Sequence, residues 1–181
     1  MKQPVSFPVS VIEANQILLA LHSASLRNCS RVLGTYFFSV STTSSLPNES
    51  AVEISIECPW RLEKDGSVLV GQGDHHADDL AEIDRLLERF LGKREGETFV
   101  CDEPPLVTRV LTRSCGDLTV SLSNGLSICA FSSSVSQMEW MVRIPGEGYL
   151  ARFNGAFEAR LRMGVPKVQE AGGSSIGSLS S

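Results

Sequence analysis

The chain has 181 residues, 42% of them apolar, which is enough for one globular domain with a substantial core. It carries 16 basic and 21 acidic residues and no Lys or Arg run that would neutralise several phosphates, so we expect no nucleic-acid partner. No apolar run approaches the roughly 18 residues of a membrane span, and the first residues lack signal-peptide features, so we expect a cytoplasmic protein without a membrane partner.

The first predicted element is a helix over residues 11–22. Ser10 and Glu13 have the spacing of a capping box, in which each side chain bonds the backbone amide of the other residue. Apolar side chains follow at helical spacing, and we expect them to face a sheet: Val11, Ala14, Leu18 and Leu21.

Strands are predicted after this helix. The β-branched and aromatic segment 31–40 indicates one strand, and the polar segment 41–50 indicates a loop. Residues 52–58 alternate between apolar and polar side chains, which predicts a strand with one face in solvent. Glu53 and Glu57 lie on that solvent face; their spacing also suits acid/base or metal chemistry, but we interpret them as surface charges.

A tight hairpin and a polar cluster come next. Asp65-Gly66 accommodates the positive φ angles of a two-residue turn, with 67–70 as the returning strand. The cluster that follows contains Asp74, His75, His76, Asp78 and Asp79. Such side chains can hold a divalent metal, although adjacent histidines do not readily face one ion and an aspartate here suits the cap of the following helix. We therefore predict capping and no cofactor, with a metal site of Asp74, His75 and His76 as the alternative.

A second helix is predicted over 80–91, where apolar residues recur on one face and Gly92 provides a stop. The charged stretch 92–98 indicates a loop. Four strands are predicted beyond it, two of them joined by the hairpin dipeptide Asn124-Gly125: 107–113, 118–122, 126–130 and 138–144.

These elements predict an α+β fold, in which an antiparallel sheet of five or more strands is built from hairpins and accompanied by two helices. We expect residues 1–164 to form a single α+β domain, and the Gly- and Ser-rich residues 165–181 to form a flexible tail.

No catalytic motif is recognisable in the chain. Nucleophile elbows, phosphate-binding loops, dinucleotide fingerprints and zinc-protease helices are absent from the sequence. The five cysteines are widely spaced without a zinc or redox pair, and they suit free thiols in a reducing cytosol.

One segment resembles a known family. Residues 58–62 read Cys-Pro-Trp-Arg-Leu and are followed by Asp65-Gly66, Val70-Gly71 and Asp74. Together with Asn124-Gly125 and the late pair of Trp140 and Arg143, this pattern resembles a family of small uncharacterised bacterial proteins. Some similar small acidic proteins look like immunity proteins, which bind and block a toxin. The family has no established activity, so the most that the resemblance implies is an immunity-type protein.

Two functional hypotheses follow from the sequence. The first is a non-catalytic binding or interaction protein, in its most concrete form an immunity-type inhibitor whose acidic patch meets a basic surface on a protein partner. We expect that patch to contain Asp74, Asp78 and Asp79 with Glu53 and Glu57. The alternative is a small-ligand-binding protein or a metal-dependent hydrolase that uses Asp74, His75 and His76. The candidate binding residues under the first hypothesis are Trp60, Arg61, Asp74, Asp78 and Asp79, although a Trp on an alternating strand is more typical of a core.

Overall fold

The computed structural model describes residues 6–32, 35–41, 52–71, 80–132, 137–144 and 146–161, without the side chains of 80–82. These residues form fourteen strands in two antiparallel sheets, with two α-helices. The helices are α1 (Val11–Leu18), which continues as a 3-10 turn (Leu19–Leu21), and α2 (Leu80–Leu91). The strands are β1 (Phe7–Val9), β2 (Ser25–Val32), β3 (Thr35–Ser41), β4 (Val52–Ile56), β5 (Trp60–Lys64), β6 (Ser67–Gly71), β7 (Lys93–Glu95), β8 (Thr98–Val100), β9 (Val107–Thr112), β10 (Leu118–Leu122), β11 (Leu126–Ala130), β12 (Met138–Ile144), β13 (Gly148–Phe153) and β14 (Ala156–Leu161).

The predicted α+β class with a large antiparallel sheet is confirmed, with more strands than the sequence predicted. The nine-stranded sheet has the order β1-β14-β13-β12-β4-β3-β2-β8-β7, and the five-stranded sheet has the order β6-β5-β11-β10-β9. No helix in the described part of the chain is long and apolar enough to cross a membrane.

The structure contains the helix cap and the turns that short sequence motifs predicted. Ser10 N donates to Glu13 Oε2 (2.7 Å) and Glu13 N donates to Ser10 Oγ (3.2 Å), so the capping box at the start of α1 is confirmed. The hairpin turn at Asp65 and Gly66 has φ angles of +50° and +81°, as the dipeptide predicts. Gly125 has φ +81° in the turn between β10 and β11.

Two predictions in the sequence analysis are wrong. Segment 31–40 is not one strand, because Val32 at the end of β2 pairs with Thr35 at the start of β3 and the chain reverses between them. Segment 92–98 is not a loop, since its charged residues form β7 and lead into β8, which pairs with β2. The sequence predicted no strand at β1, β8, β13 or β14. The predicted tail 165–181 lies outside the described residues.

The two sheets pack against each other through aromatic side chains. The rings of Tyr36 on β3 and Trp60 on β5 have centroids 4.5 Å apart, and Phe38 approaches the same indole at 6.1 Å. Trp60 is 1% exposed and Trp140 is fully buried. These residues belong to one continuous hydrophobic core with members from both sheets.

The helices lie at opposite margins of this packed pair of sheets. Helix α1 contacts β9 and β14, whereas α2 contacts β6 and β8. Asp84 anchors α2 through two ion pairs, to Arg31 Nη1 of β2 (3.1 Å) and to Arg94 Nη1 of β7 (2.9 Å). Each helix therefore connects an outer region of one sheet to an outer region of the other.

The chain crosses between the sheets at residues 57–59, and this crossing positions the candidate site. The amides of Glu57 and Cys58 both donate to Glu139 O, at 2.9 and 3.0 Å. Phe131 N donates to Pro59 O at 2.8 Å. The start of β5 and the end of β11 are thereby held side by side.

Candidate functional site

A cleft of about 220 Å³ lies on the outer face of the five-stranded sheet. We call it the outer cleft. Charged and hydroxyl-bearing side chains dominate its lining, which consists of Arg61, Glu63, Arg113, Asp117, Thr119, Ser127, Cys129, Ala130 and Phe131.

Strand alternation explains why these side chains share one face. On β5, Trp60 and Leu62 are buried in the core, so Arg61 and Glu63 point to the opposite side. Cys129 of β11 lies directly opposite Arg61. The register of the three neighbouring strands β5, β11 and β10 thus assembles the floor of the outer cleft.

Two contacts constrain the side chain of Arg61 in the outer cleft. Its Nε donates to the Glu63 carboxylate, and its guanidinium carbon lies 4.6 Å from the centroid of the Phe131 ring. The Arg61 side chain is nevertheless 42% exposed, against 18% for Glu63. The ion pair and the stacking contact therefore hold a guanidinium group in place while leaving it accessible.

The rim of the outer cleft is the turn between β9 and β10, which carries Arg113 and Asp117. Arg113 N donates to Asp117 O at 3.1 Å, and Asp117 Oδ1 accepts the Ser132 amide at 3.0 Å. Gly116 in this turn has φ +101°, and a Cβ there would lie 2.4 Å from Arg152 Nε. Only glycine fits this position without displacing its neighbours.

A buried ion pair supports this rim from below. Arg152 Nε lies 3.5 Å from Glu139 Oε2, and their side chains are 10% and 1% exposed. Ser132 Oγ donates to the same Glu139 oxygen at 2.5 Å, and Trp140 Nε1 donates to Gly116 O at 2.7 Å. Because these side chains are shielded from water, their bonds hold the rim firmly against the nine-stranded sheet.

The thiol on the floor of the outer cleft is poorly suited to nucleophilic chemistry. Burial raises the pKa of Cys129, the Glu63 charge raises it further, and hydrogen bonds from Thr119 and Arg61 oppose the rise in part. A raised thiol pKa keeps Cys129 protonated at neutral pH, and the thiolate is the reactive form. No histidine is among the described residues that line the outer cleft. The arrangement suits binding through charges and hydrogen bonds.

The structure describes two of the five candidate binding residues and places them on opposite faces of one strand. Trp60 and Arg61 lie on opposite faces of β5, with Trp60 in the core and Arg61 in the outer cleft. Asp74, Asp78 and Asp79 lie outside the described residues, as do His75 and His76, and their roles in capping, partner binding or metal binding stay predictions. In the described ranges, no group of three or more His, Cys, Asp or Glu residues could hold a metal ion.

The two carboxylates predicted on the solvent face of a strand over 52–58 have separate surroundings. Glu53 lies opposite Arg143 of β12, a register that brings opposite charges together. Glu57 is exposed and lies at the crossing between the sheets. They do not line the outer cleft.

Most residues of the outer cleft were missed by sequence reasoning. The polar positions of β10 and β11 were recognised only as the solvent side of a hairpin. The alternation of apolar and polar residues was the signal that could have found them, because it places Arg61, Thr119 and Cys129 on outward-facing positions. This alternation does not reveal that β5 pairs with β11.

Comparison of the chain with protein-family models, curated proteins and solved structures gave no match. The resemblance to small bacterial immunity-like proteins stays a prediction. The functional argument therefore rests on the geometry of the outer cleft.

Proposed function

We propose that this chain is a non-catalytic binding protein that takes a protein partner on its outer cleft. The observation that carries the proposal is the accessible guanidinium of Arg61, which is fixed by Glu63 and stacked on Phe131. Arginine and aromatic side chains are enriched among the residues that dominate the energy of protein interfaces. A group already held in one conformation also loses less entropy on binding.

The surroundings of Arg61 support binding over catalysis. The neighbouring Cys129 has a raised pKa, so its thiol is protonated at neutral pH. The buried pair of Glu139 and Arg152 stabilises the rim instead of facing the outer cleft, since their side chains are at most 10% exposed. This buried pair therefore positions the rim.

The most specific form of this proposal is an immunity-type inhibitor of a protein toxin. In that form the acidic residues Asp74, Asp78 and Asp79 contact a basic surface of the toxin. Gly71, the last described residue before them, pairs with Arg61 across β5 and β6. The last described strand before them, β6, is therefore the neighbour of the strand that carries Arg61.

Partner capture with two matched variants tests the proposal. Arg61→Gln removes the guanidinium of the outer cleft, and Arg109→Gln removes an exposed guanidinium from β9 of the same sheet, outside the lining. We expect wild type and Arg109→Gln to retain the same protein from a lysate of the source organism. We expect Arg61→Gln to retain about tenfold less of it, as the loss of one charge-assisted contact implies.

Quantitative mass spectrometry measures the captured protein, and melting temperatures verify that both variants are folded. Equal capture by wild type and Arg61→Gln contradicts the proposal. Equal losses in both variants also contradict it, because they would indicate nonspecific attraction to positive charge.

A further inference from the structure

We propose that the group bound in the outer cleft is a carboxylate of the partner, held between Arg61 and Arg113. This inference rests on the proposed function and specifies the chemistry of its ligand. Three features carry it: the engagement of the acidic lining residues by the chain itself, the spacing of the two arginines, and the balance of charge in the outer cleft.

Both acidic residues of the lining are engaged by donors of the protein. Glu63 accepts from Arg61 Nε, and Asp117 Oδ1 accepts from Ser132 N at 3.0 Å. Arg113 is exposed on the rim, and Arg61 is 42% exposed in its side chain. The more exposed charged groups of the lining are therefore the two guanidinium groups, whose N–H donors recognise an anion.

The two arginines lie at a spacing that suits a small anion between them. Arg61 is on β5 and Arg113 directly follows β9, with β11 and β10 in between. Through the pairs Arg61–Cys129, Cys129–Thr119 and Thr119–Leu111, the residue of β9 level with Arg61 is Leu111, so Arg113 lies two residues further along the strand direction. Three strand spacings and this offset separate the two backbones by about 16 Å, and both side chains line the outer cleft between them. Thr119 and Cys129 lie on the floor of this gap.

Charge and shape favour a carboxylate over a phosphate. The lining contains two arginines and two acidic residues, so a dianion would leave a larger excess of negative charge than a monoanion does. A carboxylate is planar and matches the paired donors of a guanidinium. Because phosphate is the closest competitor, it serves as the second probe in the test.

The test measures anion binding by the full chain in solution. Sodium acetate and sodium phosphate are titrated at pH 7.5 and constant ionic strength, and the NMR signal of the Arg61 Nε–H group reports binding. We expect a saturable acetate-dependent shift in wild type and in Arg109→Gln. In Arg113→Gln we expect an acetate dissociation constant about tenfold higher, and in wild type a weaker response to phosphate.

The inference is overturned if acetate gives no saturable shift, if Arg113→Gln binds acetate as wild type does, or if phosphate binds more tightly than acetate. Its failure is distinguishable from failure of the proposed function. If Arg61→Gln loses partner capture but the wild type does not bind acetate, the proposed function stands and the carboxylate is rejected as its ligand. If the wild type binds acetate but Arg61→Gln captures the partner as well as the wild type does, the outer cleft is an anion site that the partner does not use.

Discussion

At the scale of single residues, neighbours in sequence have opposite roles in this protein. Trp60 packs between the two sheets, 4.5 Å from the ring of Tyr36, whereas Arg61 faces the outer cleft. The alternation of a strand separates them completely, since successive side chains point to opposite faces. Tryptophan and arginine next to one another in a sequence therefore do not define a shared binding site.

Replacement of Trp60 tests its structural role. We expect Trp60→Ala to lower the free energy of unfolding by about 3–5 kcal/mol, because it removes a fully buried aromatic ring and leaves a cavity. Arg61→Ala serves as the control, since its half-exposed side chain contributes little to the core. Urea denaturation measures both variants. An unchanged stability of Trp60→Ala together with lost partner binding would mean that the indole contacts the partner.

At the scale of elements, α1 protects an edge of the five-stranded sheet. Asn15 Nδ2 donates to Thr112 O at 2.9 Å, and Thr112 N donates to Asn15 Oδ1 at 2.8 Å. The side-chain amide thus bonds β9 as a neighbouring strand would. An edge strand covered in this way is a poor template for pairing with another chain.

Removal of this amide should weaken the protein measurably. We expect Asn15→Ala to lower the free energy of unfolding by about 1–3 kcal/mol, because two backbone groups of Thr112 lose their partner. Ile12→Ala on the same helix is a matched control, since Ile12 is 66% exposed and should change stability little. Chemical denaturation compares them, and light scattering on heating tests edge-driven association. Equal stabilities of the two variants would contradict the assigned role of Asn15.

At the scale of the whole molecule, buried thiols are distributed over both sheets. Cys29, Cys58, Cys101 and Cys129 are buried, and Cys115 is exposed. Burial raises the pKa of Cys58 to about 12 and that of Cys101 to about 11. Burial also raises the pKa of Cys29, which has no exposed surface. The folded protein therefore retains thiol protons that the unfolded chain loses in alkaline solution.

Stability should consequently fall as the pH rises above the thiol pKa of the unfolded chain, about 8.5. Below that pH both states are protonated and the contribution of each buried thiol is fully present. Above it, each such thiol lowers the free energy of unfolding by about 1.4 kcal/mol per pH unit until its folded-state pKa is reached.

Urea denaturation between pH 7 and 10.5 measures this slope. We expect Cys29→Ala to show a smaller decrease with pH than wild type, and Cys115→Ser to follow wild type because its thiol is exposed. The same slope in all three proteins would show that the buried thiols do not govern the alkaline loss of stability.

By itself, the sequence determined the features that depend on a few neighbouring residues. The capping box of Ser10 and Glu13, the turns at Asp65-Gly66 and Asn124-Gly125, and the inward faces of β4, β10 and β11 were all predictable. Each reflects a local cause: a short hydrogen bond, a positive φ angle, or the two-residue period of a strand.

Only the tertiary structure decided which strands are neighbours. Alternation assigns a side chain to a face but does not say which strand lies beside it, so the pairing of β5 with β11 and the reversal between β2 and β3 stayed hidden. The outer cleft depends on that pairing, because it joins Arg61 to residues more than fifty positions away. The physical reason is that long-range strand order is set by collective burial in one core, which no local pattern encodes.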